Sequence, residues 1–166
     1  MAFRQAPPTE LVPDSPEKIL LQLPRRKIPG VLLHQGQMMQ RYVAEAQNDS
    51  DVAMQLPTGS GKTLVGLLIA EWLRRKNNER VVFLCPTRQL VNQVVAQAEG
   101  QYGLSVHGFT GPKAAYNPVA KADYQAGRRV AVTTYSALFN SYPFFDSPNV
   151  IIADDAHASE NYIASM

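Results

Sequence analysis

Seven consecutive residues, Pro57-Thr58-Gly59-Ser60-Gly61-Lys62-Thr63, have the chemistry to hold a polyphosphate. Gly59 and Gly61 free the backbone to turn its N–H groups inward around an anion. Lys62 supplies a mobile positive charge for the β- and γ-phosphates of a nucleotide, and the Thr63 hydroxyl can ligate Mg²⁺. A second constellation stands at Asp154-Asp155-Ala156-His157. Of two adjacent carboxylates, one can hold Mg²⁺ directly or through water while its neighbour polarises an attacking water. The two segments read as the phosphate side and the metal side of one nucleotide triphosphate site.

Such a site needs elements that deliver both segments to one place. The apolar run Val52–Leu56 before the loop reads as a strand, and Leu64–Ala70 after it as a helix. Strand, glycine-bearing turn and helix, in that order, aim a helix N-terminus at phosphate. Val150–Ala153 is likewise a hydrophobic strand that ends at the paired carboxylates.

The rest of the chain alternates in the same way. Met38, Met39, Tyr42, Val43 and Ala46 keep a helical period. Val65, Leu68, Ile69, Trp72 and Leu73 line one face of the helix after the loop, with Arg74, Arg75 and Lys76 near the negative end of its dipole. Val81–Cys85 is a strand, followed by a helix carrying Leu90, Val91, Val94, Val95 and Ala98. Further strands are expected at Leu104–Phe109 and Val130–Thr134. Near-continuous apolar strands between amphipathic helices argue for an α/β fold, a parallel sheet with helices on both faces.

Six of the 12 prolines fall in the first 30 residues, which predicts a mobile lead from Met1 to about Val12. Ser15-Pro16-Glu17 then reads as the start of a short helix that runs to Leu23 and stops at Pro24. Arg25-Arg26-Lys27 reads as a solvated basic turn rather than a phosphate contact. The organisation is thus a Pro-rich extension over 1–30 and one α/β domain over 31–166.

Composition bounds the function. At 166 residues the chain is long enough for a single core, and 45% apolar with 18% charged residues is ordinary globular usage. A net charge of +2 neither demands nor excludes a polyanionic partner. The one cysteine, Cys85, sits in an apolar run and reads as a reduced core thiol. No stretch approaches the ~18 apolar residues of a membrane span, and no signal peptide is evident, so the compartment reading is cytoplasmic. His34 and His107 have no partner spacing for a metal.

The general phosphate-loop pattern G-x-x-x-x-G-K-S/T has glycine where this chain has Leu56, so the loop fits the P-T-G-S-G-K-T version instead. With the acidic motif, that version resembles the superfamily 2 DExH/DEAD-box helicases. Pro86-Thr87-Arg88-Gln89-Leu90 is similar to the family's P-T-R-E-L motif. Val132-Thr133-Thr134-Tyr135-Ser136-Ala137-Leu138 is similar to its T-P-G-R or T-T-Y region, and Leu33-His34-Gln35-Gly36-Gln37 to its L-R-P-Y-Q element. The likeness covers about residues 31–160.

This resemblance implies an N-terminal RecA-like ATP-binding domain with ATP and Mg²⁺ as cofactors. Pro57, Thr58, Gly59, Ser60, Gly61, Lys62 and Thr63 would contact the nucleotide, with Lys62 also catalytic, and Gln37 would read the adenine. Thr63 and Asp154 would hold the metal, and Asp155 stands where the family has the glutamate that activates water. His157 would lie at the junction with a second RecA-like domain. Thr87, Arg88, Gly111, Thr134 and Tyr135 would lie near a DNA or RNA backbone. Phosphate and sugar contacts carry no base sequence and do not separate the two. Each of these has a plain structural alternative: first helical turn for Arg88, strand end and helix cap for Thr134 and Tyr135, and a tight turn for Gly111.

Two departures from the family pattern matter. Asp155 is shorter than glutamate by one methylene, about 1.5 Å of reach, which predicts altered water activation. The sequence also ends at Met166, before the S-A-T segment and the second domain of the family. A parallel crossover needs roughly a dozen residues before its next strand begins, so the sheet is expected to lack a central member. The reading is the ATP-binding half of a nucleic-acid helicase or translocase, inactive as an unwinding enzyme by itself. The alternatives are a non-catalytic nucleotide- or nucleic-acid-binding fragment and the motor segment of a restriction or repair DNA translocase.

Overall fold

The computed structural model describes residues 11–164, apart from the side chains of Asn161–Ile163. Positions 1–10 of the expected lead lie outside the described residues. In chain order the elements are α1 (Glu17–Gln22), α2 (Leu33–Glu45), α3 (Lys62–Asn77), β1 (Val81–Cys85), α4 (Arg88–Gln97), β2 (Val106–Gly108), α5 (Pro118–Gln125), β3 (Val130–Thr134), α6 (Tyr135–Leu138), β4 (Val150–Ala153) and α7 (Ala156–Ala164). One wider turn, Ala98–Tyr102, continues α4.

All strand pairs are parallel, in the order β2-β3-β1-β4. The register pairs Cys85 with Thr134 and Leu84 with Ala153, so the chain leaves β1, β3 and β4 at one edge of the sheet. Thr87, the segment after Thr134, and Asp154 all start there. Ligands of open parallel sheets bind outside the carboxyl ends of the strands, and this sheet puts its polar motifs on that edge.

Alternation along β1 explains why helices cover both faces. Val81, Phe83 and Cys85 join a core with Ile19, Leu20, Met39, Leu68 and Val91 from the first four helices. Val82 and Leu84 point the other way, into a core with Phe109, Tyr116, Tyr124, Tyr135 and Phe145. All five residues of β1 are buried, as a strand covered on both faces requires. Helix α3 crosses β1 so closely that a Cβ on Gly66 would stand 2.8 Å from the Phe83 ring. α1 is built into the same core, with Ile19 and Leu20 fully buried and Pro13 O accepting a 2.8 Å hydrogen bond from Trp72 Nε1.

Two local expectations are corrected. Val52–Leu56 is not a strand: it joins no ladder among the described residues, and of its side chains only Leu56 is buried. A strand is held by hydrogen bonds to a neighbour, and none stands beside this run. β4 ends the sheet as an edge strand, with Ile151 48% exposed. The strand expected over Leu104–Phe109 contracts to Val106–Gly108. Arg74 lies in the last turn of α3 as expected, and it is buried there. It is 4% exposed, binds Glu71 through Nε and Nη2 at 2.9 and 2.8 Å, and donates from Nη1 to Gly127 O at 3.0 Å. Arg75 Nε binds the same Glu71 at 2.7 Å, so one buried carboxylate serves two guanidinium groups.

Candidate nucleotide site and nucleic-acid cleft

The phosphate loop is a turn closed by Ser60 N donating to Pro57 O at 3.1 Å. Gly59 and Gly61 have φ of +75° and +77°, a backbone that side-chain-bearing residues rarely adopt. Lys62 is the first residue of α3, so the helix N-terminus opens directly on the loop. Pro57, Thr58, Gly59 and Lys62 are exposed, while Ser60 is buried.

Two side chains of α2 hold the loop from behind. Gln35 Nε2 donates to Ser60 O at 2.8 Å, and His34 Nε2 lies 3.1 Å from the same oxygen. Gln35 Oε1 accepts from Leu32 N at 2.8 Å, which uses both ends of an amide that is 4% exposed. Gln37, the residue expected to read the base, is exposed two positions further on. The structure therefore sets Gln35, not Gln37, against the loop. Helical phase carried this signal: Gln35 is four residues before buried Met39, on its face of α2, and Gln37 falls between turns.

Thr63 and Asp154 meet as the motifs required. Thr63 Oγ1 lies 3.2 Å from Asp154 Oδ2 and 3.5 Å from Oδ1. Burial raises the Asp154 carboxyl above its ordinary value; the Thr63 hydrogen bond lowers it, the Asp155 charge raises it further, and Lys62 lowers it. No cluster of three His, Cys, Asp or Glu able to hold a metal exists among the described residues. Cys85 is buried, and burial pushes its thiol up to about 12, so it is a core residue rather than a nucleophile.

Asp155 is exposed, and its carboxylate already has partners. Its Oδ1 accepts from His157 N at 3.1 Å and Ala158 N at 3.3 Å, at the start of α7. Aspartate is among the best residues for that capping position, whereas glutamate is not among those preferred there. His157 is exposed in the first turn of α7.

A cleft of about 320 Å³ opens at the same sheet edge. Arg88, Thr110, Gly111, Lys113, Thr134 and Ser136 supply its polar wall, so it gathers Arg88, Gly111 and Thr134 in one place. Thr87 is exposed beside it and accepts from Leu90 N at 3.2 Å, capping α4. Tyr135 follows Thr134 at this edge, but its ring turns into the core, 3% exposed, and its hydroxyl donates to Asp155 O at 3.0 Å. An aromatic after a buried strand had a core to enter, and this one fixes the acidic loop from beneath. Lys113 was missed, since it belongs to no motif, and Ser136 entered only as part of the 132–138 stretch; both line the cleft.

A family model for the DEAD/DEAH box helicase matches residues 35–163, well over half of the chain. The chain belongs to that family. Its members are ATP-binding nucleic-acid helicases, and the parallel sheet is consistent with their RecA-like domain. A stretch of 46 residues is 44% identical to an uncharacterized helicase of Dictyostelium discoideum. That stretch spans 27% of this chain and 2% of the relative. No solved structure gives a significant match.

The DEAD/DEAH box family implies ATP and Mg²⁺, and the residues present fit both. A Cβ at Gly59 would meet nothing within 4 Å, which leaves an open cradle above the loop. Ser60 Oγ is buried and has no hydrogen-bond partner among the described residues. Thr63 and Asp154 offer the hard oxygen donors that Mg²⁺ takes together with phosphate oxygens.

Proposed function

We propose that this chain is the ATP-binding half of an ATP-dependent nucleic-acid helicase or translocase acting in the cytoplasm. The observation that carries the reading is the Thr63–Asp154 hydrogen bond, which joins the phosphate loop to the acidic motif. Backbone N–H groups of 59–63 and the Lys62 ammonium would bind the phosphates, and Thr63 with Asp154 would hold Mg²⁺. The metal, when bound, neutralises charge on the β- and γ-phosphates. Gln35 braces the loop, and Asp155 is the chain's candidate for orienting the attacking water. A second RecA-like domain is the proposed partner that completes the site and couples hydrolysis to movement along DNA or RNA, with His157 at the junction.

A specific observation also favours a second reading, nucleotide binding without turnover. Asp155 Oδ1 accepts from two helix N–H groups, which holds the side chain as a cap and competes with its turning toward an attacking water. Titration of the chain with a fluorescent ATP analogue and Mg²⁺, followed by phosphate release, tests both. Saturable binding that Lys62→Ala weakens at least about tenfold supports the ATP site. Release of phosphate above background supports the motor reading over the second, while binding without release is what both readings expect of a site that a second domain completes. Binding that is indifferent to Lys62 and to Mg²⁺ would refute both.

A further inference from the structure

The segment after α6, Asn140-Ser141-Tyr142-Pro143-Phe144-Phe145, has no counterpart in the phosphate or acidic motifs. Its aromatic residues divide sharply. Phe145 is buried and Phe144 half-buried, and both pack on Phe109, Tyr116 and Tyr124 at ring centroid distances of 5.1 to 6.3 Å. Tyr142 turns outward: it lines the mouth of the cleft and is 80% exposed.

Its backbone, however, is fixed at both ends. Tyr142 N donates to Asn140 Oδ1 at 2.9 Å, and Asn140 Nδ2 in turn donates to Ser136 O and Ala137 O at 3.0 and 2.9 Å. Tyr142 O accepts from Lys113 Nζ at 2.9 Å, which leaves the ammonium 6.0 Å from the ring centroid. The Tyr142 backbone is thus anchored, and its exposed ring stands at the rim of a cleft whose cations are Arg88 and Lys113.

We propose that Tyr142 is a base-stacking platform at the rim of this cleft, a contact to the bases of a strand beyond the phosphate contacts of the motif residues. The proposal rests on the nucleic-acid reading above and adds what part of the nucleic acid is touched. A strand whose phosphates follow Arg88 and Lys113 passes the ring at the reach of its bases. In a single strand each base has a face to offer, whereas in a duplex those faces are covered by neighbouring pairs. Stacking does not discriminate among bases, so the contact carries no preference for sequence.

The test measures binding of the chain to a fluorescent oligonucleotide and to an abasic strand of equal length. The wild-type chain is expected to bind the base-bearing strand about tenfold more tightly than the abasic one. Tyr142→Ala removes that difference, and Tyr142→Trp keeps it. Arg88→Ala instead weakens both single strands alike and flattens the salt dependence. A 2-aminopurine in the strand is quenched by the wild-type chain and not by Tyr142→Ala. If the strand binds but Tyr142→Ala leaves the base-dependent difference intact, or no such difference exists, the platform is overturned while the phosphate cleft stands. If neither strand binds and Arg88→Ala changes nothing, the nucleic-acid reading fails and the platform with it.

Discussion

Thr63 and Asp154 are hydrogen-bonded at 3.2 Å across 91 positions of sequence. One begins α3 beneath the phosphate loop and the other ends β4, so the contact fixes how the two halves of the site face each other. It also sets a burden on the metal-free protein. Burial raises the Asp154 carboxyl, so its neutral form is favoured in the folded state. The sign follows: the shift stabilises the fold at low pH and is lost as pH rises through the raised folded value. Asp154→Asn is therefore expected to melt higher than wild type near neutral pH without nucleotide, with the gap closing in acid. Thermal melts over a pH series check this, and an equal or lower melting point at neutral pH would contradict it.

Gln35 and Gln37 give a sharper contrast, because only Gln35 touches the loop. Gln35→Ala removes two buried hydrogen bonds and is expected to cost about 1–3 kcal/mol of stability. It should also weaken nucleotide binding, since Ser60 O loses a fixed donor. Gln37→Ala, at an exposed position, should fall within about 0.5 kcal/mol of wild type. Chemical denaturation and nucleotide titration of the pair measure both effects.

Asp155 links helix capping to catalysis. Asp155→Ala should destabilise the start of α7 by about 1 kcal/mol, and Asp155→Asn by less, because its amide oxygen can still cap. Asp155→Glu surrenders the cap and gains reach, so nucleotide affinity should hold while turnover changes. Steady-state phosphate release beside a binding isotherm separates the two, and unchanged turnover would remove Asp155 from the water-activating role.

The Glu71 cluster is structural. Glu71→Ala leaves Arg74 buried at 4% exposure without the carboxylate that neutralises it, and is expected to cost about 3–5 kcal/mol. Replacing Glu71 and Arg74 together by apolar residues of similar volume should be milder than Glu71→Ala alone. Urea denaturation of the three chains tests the order.

These contrasts also show what the sequence could convey. The loop, the acidic motif and β1 were legible because each is a local signal: glycine at a positive-φ turn, paired carboxylates after an apolar run, five apolar residues together. Arg88 and Thr134 stand in stretches similar to the family's motifs, and with Gly111 they line one cleft. The pattern was insufficient where a neighbour decides. Val52–Leu56 has the composition of a strand and no ladder to join. Tyr135 follows a strand, but the core beside it takes its ring. Gln35 was within reach of helical phase, had the buried face been extended back from Met39. Glu71 with Arg74 and Arg75 was not, because a basic run at the end of α3 places the charges near the helix dipole and says nothing of their burial or partner.

The central claim is that the phosphate loop and the acidic motif form one metal–nucleotide site through Thr63 and Asp154. Calorimetric titration of ATP with and without Mg²⁺ into wild type, Thr63→Ala, Asp154→Asn and the double variant tests it most directly. The account predicts that Mg²⁺ strengthens binding to the wild-type chain, that either substitution removes most of that gain, and that the double variant loses little more than the worse single one. Losses that simply add, or a wild-type affinity that ignores Mg²⁺, would contradict it.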